Sequence, residues 1–159
     1  VLFRSFVKNV QYVNNANEEI DALKTILPTE TAVVDARFKD VLKGISEAHK
    51  DSLSSIRLTS YEPNRLVYET ENAGEGIAVF SEIYYPNGWQ VTIDGKPTGL
   101  GRADYVLRTL YIPAGKHTVE MRFDPQSLHV TEGIAYGALA LLVIGVAAVA
   151  LIARKKAQE

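Results

Sequence analysis

Lys116-His117-Thr118-Val119-Glu120-Met121-Arg122-Phe123 is the stretch that decides how this chain folds. Side chains alternate across a strand, so Lys116, Thr118, Glu120 and Arg122 share one face and His117, Val119, Met121 and Phe123 the other. That predicts a strand with one wet and one buried face, as in an antiparallel sheet resting on a core. Upstream, Ile56–Tyr61, Arg65–Glu71, Gly76–Tyr85, Trp89–Ile93 and Tyr105–Ile112 carry similar strand signals. Between them lie Pro63-Asn64, Pro86-Asn87-Gly88, Asp94-Gly95 and Pro113-Ala114-Gly115. Each supplies a preset φ or a residue tolerant of positive φ, as tight hairpins require. The expected fold is mainly β: an antiparallel β-sandwich, immunoglobulin-like or jelly-roll-like.

Before this block the signals are mixed. Phe6–Val13 reads as a strand, Asn15 with Glu18 as a capping box opening a helix through Ile20 and Leu23, and Thr31–Val34 as a second short strand. Pro28 ends the helix. Phe38, Val41, Leu42 and Ile45 fall at helical spacing and predict a brief helix that runs into a polar connector. The expected organisation is a small α+β segment over residues 1–50 and a β-sandwich over 51–130. Leu2-Phe3-Arg4-Ser5 matches the translation of a sequencing adapter, so residues 1–5 are set aside as a non-native scar.

Downstream, Ile134–Ala153 contains no charged side chain, and ten of its residues are Ile, Leu or Val. At about 1.5 Å per residue such a helix covers about 30 Å, the hydrocarbon thickness of a bilayer, with its backbone polar groups satisfied internally. A transmembrane helix over 131–153 is expected. Arg154, Lys155 and Lys156 follow at once, and basic flanks are retained in the cytoplasm, so 154–159 is expected to be a cytoplasmic tail and the β domain extracytoplasmic. The sequence opens without Met or an apolar leader, which leads to the expectation of a piece of a longer chain with upstream spans. Gly133 and Gly137 form a small-xxx-small pair suited to close helix packing.

Charge and composition narrow the function classes. The formal charge is −2 and the tail Arg154, Lys155, Lys156 and Glu159 carries +2, leaving −4 before it and arguing against nucleic acid as a partner. Without Cys there is neither thiol chemistry nor a Cys-ligated metal site. His49, His117 and His129 lie far apart and lack partners at metal-ligand spacing, so no metal site is expected. Gly74-Glu75-Gly76 and Gly99-Leu100-Gly101 are too short for a phosphate-binding loop and read as turns, so no nucleotide cofactor is expected either. Tyr84, Trp89, Arg102, Tyr105 and Arg108 gather in one stretch. Aromatic faces beside guanidinium forks suit a sugar ring or a lipid-linked phosphate, which makes these five the candidate contact residues. The competing reading places Trp89, aligned with Val91 and Ile93, in the core.

The sequence also carries a resemblance. Ala78-Val79-Phe80-Ser81-Glu82-Ile83-Tyr84-Tyr85-Pro86, then Gly88-Trp89-Gln90-Val91-Thr92-Ile93-Asp94-Gly95-Lys96, then Tyr105-Val106-Leu107-Arg108 and Ile112-Pro113-Ala114-Gly115-Lys116-His117-Thr118-Val119-Glu120, is similar to the C-terminal region of YfhO-type bacterial membrane proteins. Val33-Val34-Asp35, Leu58-Thr59-Ser60-Tyr61 and Pro63-Asn64 agree with it. The resemblance implies a multi-pass parent with a glycosyltransferase-C-like membrane half, an extracytoplasmic β domain and a last membrane helix. Some relatives are linked to transfer of sugars from polyprenyl-phosphate donors onto cell-envelope polymers. Their acidic catalytic residue belongs to an early outer loop with no counterpart in these residues, so no catalytic residue is carried over. The expected role is a scaffold or an acceptor-recognition domain. The expected partners are the lipid bilayer, upstream membrane helices of the parent, and envelope glycan or polyprenyl-phosphate sugar. The alternative is a membrane-anchored adhesion, interaction or carbohydrate-binding module without an enzymatic parent.

Overall fold

The computed structural model describes residues 4–156. It comprises two compact units, Val1–Phe123 and Asp124–Glu159. In chain order the elements are β1 (Arg4–Val7), β2 (Asn9–Val13), α1 (Ala16–Leu23), β3 (Thr31–Asp35), a 3-10 turn at Ala36–Phe38, β4 (Ser55–Glu62), β5 (Arg65–Asn72), β6 (Gly76–Ile83), β7 (Trp89–Ile93), β8 (Lys96–Pro97), β9 (Gly101–Ala103), β10 (Leu107–Ile112), β11 (Gly115–Phe123) and α2 (Gln126–Lys156). The fold is mainly β, as expected. Residues 1–3, part of the proposed scar, lie outside the described residues.

The strands form two sheets, one ordered β1-β6-β10-β9-β3-β2 and the other β4-β5-β11-β7-β8. Only Lys8 separates β1 from β2. The outer strands of the first order are therefore at most about 7 Å apart along the chain, whereas five strand spacings in a flat sheet span about 24 Å. The first sheet must roll until its edges meet. Lys8 N–H and Asn9 N–H both donate to Glu30 O, at 2.9 and 3.0 Å, at this seam. The single strand expected over Phe6–Val13 is thus broken at Lys8 into two strands serving opposite edges.

Within the expected N-terminal α+β segment, β2 and β3 pair in parallel, Asn9 opposite Thr31 through Val13 opposite Asp35. A parallel pair requires a crossover, and α1 supplies it. Asn15 caps α1 as anticipated, its Oδ1 accepting from Asn17 N–H at 3.1 Å and Glu18 N–H at 3.0 Å, while Glu18 Oε2 reaches back to Asn14 N–H. The brief helix expected over Phe38–Ile45 is only the 3-10 turn and further turns, reversing at Lys43 and Gly44, both at positive φ. Strands on both sides of residue 50 share the rolled sheet, β1 pairing β6 and β3 pairing β9. Residues on both sides of that point belong to one compact unit.

Three apolar clusters follow. Between the sheets, Phe6, Ala78, Phe80, Leu110 and Ile112 meet Leu66, Tyr68, Val91, Val119 and Met121. On the other face of the rolled sheet, Val7, Val10, Val34, Ile77, Val79 and Tyr111 pack with Phe38 and Leu42. Val13 and Val33 carry Ala22 of α1. Val119 and Met121 are fully buried while Lys116, Thr118 and Arg122 are exposed, so the opening alternation holds. In the second unit, α2 has a mean hydropathy of 2.5 over its most apolar window, none of it buried. Among the described residues it is the one helix long and apolar enough to cross a membrane.

Candidate functional site

The five candidate contact residues do not form one site. Tyr84 is half-buried and packs against the core, its ring edge-on to Phe38 at 5.3 Å. Arg102 on β9 and Arg108 on β10 are direct cross-strand partners, so they leave the sheet on the same face. Their surroundings nevertheless diverge. Arg102 Nη2 donates to Glu19 of α1 at 2.7 Å and Nη1 to Tyr105 O at 2.8 Å. Tyr105 stands at φ +72 in the turn after β9, its guanidinium neighbour Arg102 5.3 Å from its ring centroid. These contacts hold a turn in shape.

Arg108 and Trp89 do come together. The guanidinium lies 3.8 Å from the Trp89 centroid, with Nε donating to Ile83 O at 3.0 Å and Nη1 3.6 Å from Met121 Sδ. Arg108 is 4% exposed, and burial draws its pKa below the usual arginine range while the Glu82 carboxylate opposes the shift. A desolvated cation over an indole contributes about 2 kcal/mol. Phe123 packs against the same indole at 5.3 Å. Trp89 is half-buried rather than fully core. It lines a cleft of about 300 Å3 with Val91, Pro97, Thr98 and Leu100. That size and its largely apolar lining with a few polar groups suit a small ligand.

Sequence reasoning missed the charges behind Arg108. In register, Arg108 and Arg4 flank Phe80, and the Arg4 guanidinium lies 5.5 Å from the Tyr68 ring. The pairing of β6 with β10 jumps from Ile83 opposite Leu107 to Phe80 opposite Arg108, setting Ser81 and Glu82 in a bulge. Burial and the nearby Glu82 carboxylate push the Tyr68 phenol up from its ordinary pKa. Both Glu82 oxygens, Tyr68 Oη and Arg4 Nη1 are buried without a hydrogen bond from the described protein atoms. The available signal was the charged Glu82 two positions after the apolar run Ile77–Phe80.

A further recess, about 530 Å3, lies on the wet face of the second sheet. Its charges already satisfy one another, Arg57 with Glu69 and Lys116 with Glu71, which leaves little unpaired charge for a ligand. In the second unit, a Cβ added at Gly133 or Gly137 would meet nothing within 4 Å, so that face of α2 is open. Arg154 closes the described apolar run and is exposed, while the Lys155 and Lys156 side chains lie outside the described positions.

A mainly β unit carrying a cleft, together with an unburied apolar helix long enough to span a bilayer, suggests the class: a membrane protein with a β-rich unit. The chain belongs to the family of bacterial membrane protein YfhO, whose model matches residues 36–135, well over half of its length. No curated protein and no solved structure matches it.

Proposed function

We propose that this chain is the outer β domain and closing membrane helix of a YfhO-like protein of cell-envelope glycosylation, with a polyprenyl-phosphate sugar as donor for the parent. In this reading the β unit up to Phe123 is extracytoplasmic, 131–153 lies in lipid, and the tail from Arg154 is cytoplasmic, because basic residues flanking a span stay inside. Gly133 and Gly137 offer upstream membrane helices a close packing face. Family membership supports the membrane setting.

The observation that favours acceptor recognition over a purely structural role is Trp89. Its indole is braced by Arg108 and Phe123 yet lines an open cleft of about 300 Å3, where a sugar ring can pack against an aromatic side chain. Arg108 acts in this reading by holding the indole, Arg102 and Tyr105 by shaping the neighbouring turn. The test is calorimetric titration of the chain in detergent micelles with envelope oligosaccharides. Binding weakened at least tenfold by Trp89→Ala, and kept in Tyr61→Ala on the exposed part of β4, supports recognition. Binding that is absent, or equal in wild type and Trp89→Ala, leaves a scaffold role alone.

A further inference from the structure

We propose that the recess between Lys43, Lys96 and His117 binds an oxyanion, a phosphate or carboxylate group carried by a glycan. The recess has a volume of about 290 Å3, and its floor includes Tyr111, Pro97 and Pro113. Two separate segments bring lysines to it, the turn after the 3-10 helix and the short strand β8, and β11 adds His117 to its lining.

Lys43 is held in an unusual way. It stands at φ +54, a conformation that side-chain-bearing residues seldom adopt, with Gly44 following at φ +68. Gly44 N–H closes the turn on Lys39 O at 2.8 Å. The Lys43 ammonium lies 3.8 Å from the centroid of Tyr111, whose hydroxyl donates to Glu75 at 2.6 Å. Lys96 follows the Asp94-Gly95 turn, at φ +51 and +76. Among the described residues neither Lys43 nor Lys96 forms an ion pair.

The one carboxylate lining the recess, Asp94, is already engaged. It accepts from Thr118 N–H at 2.8 Å and faces His117 Nδ1 at 2.6 Å. His117 Nε2 faces a second acceptor, Ala114 O, at 3.1 Å, so both bonds together require the imidazolium. The His117–Asp94 pair is then neutral, and Lys43 and Lys96 add two ammonium groups held in no direct ion pair, although Glu75 sits on the hydroxyl of the Tyr111 ring that Lys43 covers. Planar or tetrahedral oxygen anions meet such donors through charge-assisted hydrogen bonds.

The recess shares Pro97 and Thr98 with the Trp89 cleft. A glycan seated on Trp89 would therefore carry a charged substituent over Lys96. That continuity rests on the recognition reading above, whereas the oxyanion site stands on its own residues.

The experiment titrates the full chain, isotope-labelled in detergent micelles, with inorganic phosphate, glycerol 1-phosphate, glucuronate and a neutral oligosaccharide. Saturable shifts at Lys43, Lys96 and His117 with an anion, weakened tenfold or more in the double variant Lys43→Gln/Lys96→Gln, support the site. The phosphate and glucuronate arms tell a phosphate ester from a uronate. An unaltered His117 side-chain signal in the unliganded variant confirms its fold. Anion binding without neutral-glycan binding upholds this site while removing the Trp89 reading. Shifts that rise linearly without saturating, or that match between wild type and double variant, overturn it.

Discussion

Arg102 Nη2 donates to Glu19 Oε2 at 2.7 Å, tying β9 to α1 across 83 positions of sequence. Glu19 is fully buried, and its second oxygen accepts the Tyr105 N–H at 2.8 Å. One carboxylate thus balances a largely buried guanidinium and fixes a turn in which Asp104 and Tyr105 both adopt positive φ. Such a turn persists only when its surroundings over-determine it.

Removing that carboxylate should be costly. Glu19→Ala leaves Arg102 only the more distant Asp35 carboxylate, 3.8 Å away, and leaves the Tyr105 N–H unsatisfied, so a loss of about 3 kcal/mol is expected. Urea unfolding followed by the fluorescence of Trp89, the single tryptophan, measures it. A loss below about 1 kcal/mol would match an exposed ion pair and contradict the burial argument.

Asp104 predicts the opposite sign. Burial pushes its carboxyl up to about 6, with the Val33 N–H hydrogen bond opposing and the Glu19 charge adding. The folded form holds its proton more tightly than the unfolded chain. Its contribution is therefore complete below pH about 4 and lost as pH rises through about 6. Asp104→Asn keeps an oxygen for Val33 N–H and tolerates the left-handed backbone, so it should stabilise by about 1–2 kcal/mol at about pH 7.5 and not at about pH 4. Equal effects at the two pH values would contradict this.

Gly76 tests the packing of the rolled sheet. A Cβ there would meet the Asn72 amide nitrogen and stand 2.6 Å from Phe6 Cδ1, and Phe6 is 2% exposed with nowhere to retreat. Gly76→Ala should destabilise by about 1–3 kcal/mol through overpacking. Gly95→Ala meets no neighbouring atom within 4 Å, so its cost arises from φ +76 alone. Thermal unfolding of both variants separates steric from backbone effects.

The lipid assignment of α2 can be weighed in the same way. Ten Ile, Leu and Val residues contribute about −3 to −6 kcal/mol to insertion, and two arginines near the centre oppose it by about 5–7 kcal/mol. Leu142→Arg/Ile144→Arg should convert an alkali-resistant membrane protein into an extractable one, whereas either single variant should stay largely membrane-bound. Full retention of the double variant would remove lipid insertion as the reason for this composition.

Much of the fold was legible because its signals are local. Trp89–Ile93 matches its expected strand to the residue, and the hairpins expected at Pro63-Asn64 and Asp94-Gly95 form, whereas Pro86-Asn87-Gly88 and Pro113-Ala114-Gly115 carry the chain from one sheet to the other instead of closing hairpins. The short strands β8 and β9, of two and three residues, were not legible, since a period of two cannot be recognised over so few positions. The break at Lys8 was missed because only the polar pair Lys8-Asn9 marks it; the facing changes phase there, Val7 and Val10 joining the same cluster, and the hydrogen-bond partners change. The candidate contacts scattered for a related reason. Arg102 and Arg108 look alike in sequence, yet one meets Glu19 and the other Trp89.

Sequence by itself determined the strand faces of β11, the tight turns at Pro63-Asn64 and Asp94-Gly95, the capping of α1 and the apolar length of α2, because each follows from residues within a few positions of one another. Tertiary structure alone decided that the first sheet rolls, that Glu19 and Arg108 are buried, and that Lys43, Lys96 and His117 share one recess. Burial and charge pairing depend on which distant segments pack together, and that is a property of the assembled chain.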